Sequence, residues 1–445
     1  MVVRSLDVRS YKSFLRPVSF PLSPECNVFI GPNNCGKTNL LDAIDFLAHP
    51  EKDPSRLHHH RANMEAAFSF NDAEAKRFGM HGVTIVGKHY TVEIRGHGGE
   101  AVTEEIEQYV SSRVRMLSYE SFTEFEQIES DYLSLAQKYP EVFDRFSRLM
   151  RQHFPEIEGI TTIVDEATED FGSVSLGSRS ITIDRLGGGF RRVLVMLLYA
   201  LHPDYSIILI DEPEIHLHPG MIKKLLHIIH GGAMNQLIVT THSPLFITAE
   251  WLSQVYRVLK DEQGSTVYSL AQQPVAIDRQ RLVQELNADN LEMFFADKVL
   301  VVEGVSDRIL MRGLIDRFYQ GSLDIKVIYT HGKSNIDIYR QLMSCFHIPY
   351  LVMLDRDALP AIADELHIRH LLRHDWRESN TVLAAELLKH HIVILDNGSI
   401  EQNYPKQYQR DDSKPLNALF ASVNITPEEF QSPRMKNLRD IIQNL

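Results

Sequence analysis

Residues 27–48 read NVFIGPNNCGKTNLLDAIDFLA, and this stretch decides the fold of the first half of the chain. It opens with a short apolar run that predicts a buried strand, and it closes with apolar residues at helical spacing. Between the two, residues 31–38 match the pattern GxxxxGK(S/T), in the strand-then-helix context that identifies a phosphate-binding P-loop. The sequence therefore predicts an α/β domain that binds a nucleotide.

The loop residues are expected to hold the phosphates of ATP together with Mg²⁺. The glycines let backbone N–H groups turn toward the phosphates, Lys37 would reach the β and γ oxygens, and Thr38 would offer its hydroxyl to the metal. The nucleotide-binding residues predicted within the loop are Asn33, Asn34, Cys35, Gly36, Lys37 and Thr38.

Two later strands are predicted to complete this site. SIILIDE at 206–212 is an apolar strand ending in two carboxylates, of which Asp211 would hold Mg²⁺ through water and Glu212 would polarise the attacking water. LIVTTH at 237–242 places His242 at the end of another apolar strand, where it could contact the γ-phosphate. On its own such a histidine is more often structural, so this assignment depends on the P-loop.

Between the P-loop and these two strands, LGGGFRR at 186–192 opens a helix, and glycines at a helix N-terminus expose backbone N–H groups. The P-loop, LGGGFRR, LIDEPEIHLHP and TTHSP, in this order, resemble the ATPase heads of the ABC class. The resemblance implies self-association through the heads, in which the signature of one head contacts the nucleotide of another through Gly187, Gly188 and Gly189. The usual signature serine is Gly187 or Gly188 here, so slow hydrolysis is expected. The turn after VRMLSYE is a candidate for the Q-loop, whose glutamine is not placed.

The composition limits the classes of protein. With 445 residues the chain is long enough for two or three domains. Its net charge of −13 argues against a protein that coats nucleic acid by bulk charge, although a local basic groove or bound metal ions can override an acidic total. Cys26, Cys35 and Cys345 form no CxxC pair, which excludes a zinc ribbon or disulfide framework and fits a reducing cytoplasm. The sequence contains no run of about 18 apolar residues, so it predicts no membrane span. The histidine run at 58–60 is predicted to be a solvated loop.

We predict three segments along the chain: an ABC-type ATPase domain at 1–270, a linker at 271–296 and a second α/β domain at 297–445. Within the first, residues 123–155 have a helical pattern that Pro140 divides in two, which predicts a short helical insert. The insert lacks sustained heptads, and this disfavours a long-armed chromosome-tethering ATPase.

The second domain is predicted to carry an acidic site. VLVVEG and LVMLDRD are apolar strands that end in carboxylates, Glu303 in the first and Asp355 and Asp357 in the second. In a parallel sheet the carboxyl-terminal strand ends lie at one edge, so these side chains are expected to converge. Asp355 and Asp357, two residues apart, would point to the same side of a strand. Carboxylate ligands of this kind suit Mg²⁺ or Mn²⁺.

Acidic turns after strands would explain each piece of this pattern alone, but they explain the ordered set poorly. EGVSDRILMRGL, THGKSNIDIYRQLM, LVMLDRDA and GSIEQNY look like the Toprim half of the OLD (overcoming lysogenisation defect) nucleases. The resemblance implies one metal site at the three carboxylates above and a second that includes Asp307, and it matches Glu401 to a later metal-binding glutamate of the family. It further implies that Lys436 stabilises charge on the phosphate, although an exposed helix lysine would need no such role.

Together these expectations describe an ATP-binding, metal-dependent DNA endonuclease. Two metal ions could activate water and stabilise the leaving oxygen of a phosphodiester. The family resemblance implies DNA as the substrate, a head-dimerised homo-oligomer, and a role in anti-phage defence or DNA processing; a separately encoded accessory protein is left open. Two other functions stay open: an ATP-gated DNA-binding or signalling subunit whose Toprim fold does not cut, and a repair ATPase that loads other proteins at DNA ends.

Overall fold

The computed structural model describes most of the chain. The described residues are 1–49, 62–88, 91–98, 101–163, 171–176, 179–248, 251–272, 286, 288–332, 335–363, 366, 369–372, 381–410 and 413–445. The chain divides into two compact units, Met1–Gln272 and Gln273–Leu445. The histidine run at 58–60 and residues 273–285 and 287 of the predicted linker lie outside the described residues.

The described residues of the first unit form strands in three sheets and seven α-helices. The strands are β1 (Val2–Arg9), β2 (Val18–Pro21), β3 (Cys26–Ile30), β4 (Asn63–Ser69), β5 (Gly82–Lys88), β6 (Thr91–Gly96), β7 (Val114–Leu117), β8 (Gly159–Ile163), β9 (Phe171–Leu176), β10 (Arg179–Thr182), β11 (Ile207–Asp211), β12 (Gln236–Thr241), β13 (Val255–Asp261) and β14 (Gly264–Ser269). The helices are α1 (Lys37–Ala48), α2 (Asp72–Phe78), α3 (Glu104–Ser112), α4 (Phe125–Lys138), α5 (Pro140–His153), α6 (Gly188–Leu201) and α7 (Pro219–Gly232).

The central sheet of this unit has six strands in the order β14–β13–β3–β12–β11–β7. Neighbouring strands run parallel except for the antiparallel pair of β13 and β14 at one edge. β3 and β12 are buried along their whole length, as strands of a parallel sheet covered on both faces are. The register pairs Asp211 with Thr240 and Ile30 with Thr241. β3, β11 and β12 therefore end at the same edge of the sheet.

Two antiparallel sheets complete the first unit. The larger has the order β2–β1–β4–β5–β6, and β1 buries Val3, Leu6 and Val8, with a register shift between Val3 and Ser5 that interrupts the alternation. These side chains belong to the same hydrophobic core as Leu40 and Phe46 of α1. The smaller sheet has the order β10–β9–β8.

Helices α4 and α5 occupy the stretch in which the sequence has its helical pattern. Pro140 is the first residue of α5, where its missing N–H and fixed φ are tolerated. The helices contact each other, and Tyr132 of α4 meets the ring of Phe146 edge-on, with centroids 6.3 Å apart. Tyr132 also donates a hydrogen bond of 3.0 Å to the carbonyl of Thr161, which ties the helices to the smaller sheet.

The second unit is built from a parallel sheet and surrounding helices. Its strands are β15 (Lys298–Val302), β16 (Ile325–Tyr329), β17 (Tyr350–Asp355) and β18 (Ile392–Leu395), in the order β16–β15–β17–β18. Among the described residues its helices are α8 (Ala288–Leu291), α9 (Val305–Phe318), α10 (Ile336–Cys345), α11 (Leu359–Ile362), α12 (Thr381–Lys389), α13 (Lys414–Asn424), α14 (Pro427–Phe430) and α15 (Lys436–Gln443). All strand pairs are parallel, as was expected for the two apolar strands whose ends carry Glu303 and Asp355.

Helices α9 and α13 pack closely against each other. A Cβ on Gly313 of α9 would lie 2.6 Å from the Cβ of Ser422, so glycine is what allows this approach. Arg317 reinforces the contact by donating to the carbonyls of Ser422 at 2.8 Å and Ile425 at 2.5 Å. The start of the second unit is also anchored, because Asn290 donates to the hydroxyl of Tyr339 at 2.6 Å.

Candidate nucleotide and metal sites

The P-loop follows β3 and bends at two glycines whose φ angles are positive, +148° at Gly31 and +105° at Gly36. A Cβ on Gly31 would overlap the carbonyl oxygen of Val258, and one on Gly36 would overlap the hydroxyl of Ser13. Helix α1 begins at Lys37 with no side-chain cap, which leaves its first N–H groups available to an anion. The loop therefore has the shape that a phosphate-binding loop needs.

The Lys37 side chain is buried within this loop. Its Nζ donates to the carbonyls of Gly31 at 3.1 Å and Pro32 at 3.0 Å. It also lies 2.8 Å from Nε2 of His242. Burial lowers the pKa of Lys37. Predicted loop residues Asn33, Asn34 and Thr38 are exposed, whereas Cys35 is buried, and burial raises the pKa of its thiol.

Two predicted metal ligands of the nucleotide site lie side by side. The hydroxyl of Thr38 donates to the carboxylate of Asp211 at 3.1 Å and 3.2 Å. Thr240 also donates a hydrogen bond to Asp211 from the neighbouring strand. A hydroxyl and a carboxylate at this spacing are hard oxygen donors of the kind that Mg²⁺ prefers.

Glu212 and His242 also come together at this edge. Oε1 of Glu212 lies 3.2 Å from Nε2 of His242. Glu212 has a φ of +49°, a left-handed conformation that is uncommon away from glycine and concentrates at functional sites. Burial lowers the pKa of His242, and the ammonium of Lys37 lowers it further, so the imidazole is held neutral.

Glu214 is a residue of this site that the sequence did not single out. One of its oxygens, Oε1, accepts hydrogen bonds from the hydroxyl of Thr241 at 2.7 Å and from the backbone N–H of His242 at 2.6 Å. Its other oxygen is buried without a hydrogen-bond partner among the described residues. The signal was its place in LIDEPEIHLHP, two residues after Glu212, where a third carboxylate follows the strand.

The predicted signature glycines stand at the start of α6. Gly187 caps the helix and Gly188 is its first residue, and a Cβ on either would meet no atom within 4 Å. A Cβ on Gly189 would instead lie 3.3 Å from the sulfur of Met221. The candidate Q-loop at 118–124 contains no glutamine, and nearby Gln127 donates to Asp131 at 3.1 Å.

In the second unit, Glu303, Asp355 and Asp357 converge as the sequence predicted. Each offers a carboxylate oxygen, and these oxygens all lie within 4.8 Å of one another. Glu303 follows β15 directly, and Asp355 ends the adjacent strand β17. The backbone N–H of Asp355 donates to Oε1 of Glu303 at 2.9 Å, which fixes the two carboxylates relative to each other. The all-oxygen donor set fits a hard divalent cation.

Asp307 lies in the first turn of α9, where it accepts a hydrogen bond of 3.0 Å from the backbone N–H of Gly304. Burial, together with the charge of Glu401, raises its pKa to about 6. Burial and the charges of Asp307, Glu303, Asp357 and Glu401 raise the pKa of Asp355 to about 7. Crowded carboxylates with raised pKa values hold an excess of negative charge that a bound cation would neutralise.

Glu401 is held from two sides. The hydroxyl of Ser399 donates to its Oε2 at 2.7 Å, and the ammonium of Lys414 lies 3.0 Å from its Oε1. Burial acts to raise the pKa of Glu401, but these hydrogen bonds outweigh burial and lower it. The sequence did not single out Lys414.

Lys436 is exposed at the start of α15. The next residue, Asn437, donates to Oδ1 of Asn403 at 3.1 Å, which places this helix beside the turn that carries Glu401. No ion pair of Lys436 occurs within the part of the chain that the structure describes. Its role toward a phosphate stays a prediction.

Comparison with known proteins shows which family models match parts of the chain. Two ATPase models match the first unit: "AAA ATPase domain" at 1–86 and "AAA domain, putative AbiEii toxin, Type IV TA system" at 93–248. A third model, "Overcoming lysogenization defect protein-like, TOPRIM domain", matches residues 294–357. The chain carries an OLD-like Toprim domain. The predicted resemblance and fold class, an ATPase head followed by a Toprim α/β domain, are thereby confirmed.

Two nucleases are among the curated proteins to which this chain is similar. The OLD nuclease of Thermus scotoductus is 28% identical over 195 residues, which cover 40% of this chain and 36% of that protein. The Old nuclease of Escherichia phage P2 is 24% identical over 203 residues, which cover 40% of this chain and 34% of that protein. The alignments thus span about a third of the length of these relatives, at 36% and 34%.

A solved structure of an SMC head bound to the C-terminal winged-helix domain of ScpA matches with a TM-score of 0.49 and 15% identity, covering 61% of this chain and 98% of that one.

Among the described residues, every helix is too short or too polar to cross a membrane.

Proposed function

We propose that this protein is an ATP-hydrolysing, divalent-metal-dependent DNA endonuclease. The observation that carries this proposal is the convergence of Glu303, Asp355 and Asp357 within 4.8 Å inside an OLD-like Toprim domain. The two nucleases among its relatives support the same reading. The substrate class, the metal and the coupling to ATP are parts of the proposal.

In the Toprim domain, Glu303, Asp355 and Asp357 would hold one Mg²⁺ or Mn²⁺, and Asp307 and Glu401 would contribute to a second. Such ions activate water and stabilise the leaving oxygen in phosphodiester hydrolysis. The chain itself fixes the ligands, since Gly304 holds Asp307 and Ser399 holds Glu401. Lys436 would place a positive charge near the phosphate.

In the ATPase domain, the P-loop from Asn33 to Thr38 would bind the phosphates of ATP. Lys37 would move from its carbonyl partners to phosphate oxygens, and Thr38 and Asp211 would hold Mg²⁺. Glu212 would orient and polarise the attacking water, and a neutral His242 would hydrogen-bond the transferred phosphate. The open surface over Gly187 and Gly188 leaves room for the nucleotide of a second head, so we propose that the chain self-associates through its heads.

The biological setting follows from the proposed chemistry. DNA is the proposed substrate, and defence against phage or DNA processing is the proposed role. Cys26, Cys35 and Cys345 are buried free thiols, which suits the reducing cytoplasm. An accessory protein stays an open part of this proposal.

The test is cleavage of plasmid DNA by the purified full chain with Mg²⁺ or Mn²⁺. We expect nicking or linearisation by the wild type and none by Asp355→Ala. Asp316→Ala, which removes an exposed carboxylate at the far end of α9, is the matched control and should cut like the wild type. Cleavage retained in Asp355→Ala, or absent from the wild type with either metal, would overturn the nuclease proposal.

ATP hydrolysis is measured separately in the same preparations. Hydrolysis lost in Lys37→Ala supports the ATPase half. Hydrolysis stimulated by DNA, combined with no cleavage under any condition, would favour a loading or signalling ATPase instead.

A further inference from the structure

Lys414 is the first residue of α13, and its ammonium lies 3.0 Å from Oε1 of Glu401. It also interacts electrostatically with Asp355 and Asp307. The packing of α13 explains this position. Asp307 lies in the first turn of α9, and Lys414 lies in the first turn of α13. The two helices run side by side in the same direction, with contacts between Gly313 and Ser422 and between Arg317 and Ile425. The packing of these helices thus places the Lys414 ammonium beside the carboxylates of the second unit.

The cation next to Asp355 in the sequence serves a different partner. Arg356 pairs with Asp396 at 2.6 Å. Lys414, in contrast, pairs with a carboxylate assigned above to the second metal site.

We propose that Lys414 is an internal counter-ion of the second metal site, which must release Glu401 before a divalent ion binds there. This inference rests on the proposed metal-dependent function. An ammonium and a divalent ion attract the same carboxylate and repel each other, so they compete for it. The second metal position therefore fills only after Lys414 has moved away from Glu401.

The release of Glu401 by Lys414 requires little free energy. The Lys414 side chain is 68% exposed, and a lysine carries its charge on a flexible four-carbon stem. Exposed ion pairs of this kind change an equilibrium by about fivefold at most. Lys414 thus weakens the second ion without excluding it. Once free, the ammonium stays beside the site.

The test is Mn²⁺ binding by the full chain without nucleotide or DNA, measured by calorimetry and by the electron paramagnetic resonance of free Mn²⁺. In Lys414→Gln we expect the weaker Mn²⁺ of the Toprim site to bind about threefold to fivefold more tightly, with the tighter one unchanged. Lys414→Arg keeps the charge and should behave like the wild type. Lys406→Gln, an exposed lysine of the same unit, is the matched control.

A double variant gives the decisive comparison. Glu401→Gln should abolish the gain produced by Lys414→Gln, because both substitutions act on one ion pair. An unchanged or weaker second Mn²⁺ in Lys414→Gln overturns the counter-ion, while leaving the metal site intact. A wild type that binds no Mn²⁺ through Glu303 and Asp355 overturns both this inference and the proposed nuclease.

Discussion

The backbone N–H of His242 donates a hydrogen bond of 2.6 Å to Oε1 of Glu214. The same oxygen accepts the hydroxyl of Thr241 at 2.7 Å, so a single carboxylate fixes the end of β12. The His242 side chain projects from this fixed backbone to 2.8 Å from Nζ of Lys37 and 3.2 Å from Oε1 of Glu212. Glu214 is therefore a positioning residue for the proposed hydrolysis of ATP.

Replacement of Glu214 by alanine is expected to lower kcat for ATP about tenfold, because a displaced His242 would lose one hydrogen bond to the transferred phosphate, worth about 1.5 kcal/mol. KM should change little, because the P-loop contacts remain. Glu214→Gln keeps an acceptor oxygen and should retain most of the activity. Steady-state ATPase assays check this, with a thermal melt of each variant to establish that it is folded.

A double variant that combines Glu214→Ala with His242→Ala tests whether Glu214 acts through the histidine. Adding Glu214→Ala there should cost no further activity, since the group being positioned is already gone. An equal tenfold loss in both backgrounds would show that Glu214 acts through the stability of the fold instead.

A serine at Gly187 is predicted to accelerate ATP hydrolysis. Gly187 caps α6 with a φ of −54°, which any residue adopts, and a Cβ there meets no atom within 4 Å. The new hydroxyl would supply the phosphate contact that glycine lacks, and one such hydrogen bond corresponds to roughly a tenfold gain in kcat. The measurement is ATPase activity at protein concentrations that favour head association.

The control for this variant is Gly231→Ser, at an open position near the end of α7. It should leave hydrolysis unchanged. If Gly187→Ser hydrolyses ATP no faster than Gly231→Ser, the signature glycines do not contact the nucleotide in the way proposed.

Metal binding and stability of the second unit are predicted to depend on pH. The folded-state pKa values of Asp355, about 7, and Asp307, about 6, lie above the ordinary 3.8. The folded chain therefore binds more protons than the unfolded chain between about pH 4 and pH 7, and its metal-free stability falls as pH rises through this window. A divalent ion needs the deprotonated carboxylates, so its affinity should rise over the same range and level off above pH 7.

Two measurements check this prediction. Thermal melts in a chelator should show Asp355→Asn more stable than the wild type at pH 8 and little different at pH 4, with Asp316→Asn as the exposed control. Calorimetry of Mn²⁺ binding at pH 6 in two buffers should detect proton release. An affinity that is the same at pH 5.5 and pH 8 would contradict the assignment of Asp355 as a ligand.

The parts of these sites that local pattern determines were predictable. Apolar runs at β3, β11, β12, β15 and β17 identify buried parallel strands, and parallel strands end at one edge, so the residues after them must meet. This reasoning brings Thr38 to Asp211, Glu212 to His242, and Glu303 to Asp355. It needs no knowledge of how helices pack.

The residues that were missed depend on packing between distant segments. Lys414 reaches Glu401 only because α13 lies against α9, and no motif marks a lysine at a helix start. Glu214 stood in a recognised motif, but its partners on β12 are set by the register of that strand. The sheet β10–β9–β8 escaped prediction because its short strands include polar residues such as Ser173 and Ser175 and lack a continuous apolar run.

The back of the P-loop is made by the last strands of the first unit. The carbonyl of Val258 fills the space that a side chain on Gly31 would take, and the hydroxyl of Ser265 donates to the carbonyl of Cys35 at 2.6 Å across 230 positions of sequence. At ordinary rates of translation, a ribosome needs roughly 10 to 50 seconds to make that intervening chain. The loop is thus synthesised long before its support. We therefore expect competence to bind ATP to arise only when the first unit is complete, so that a chain interrupted before β14 carries the motif without the support of its loop.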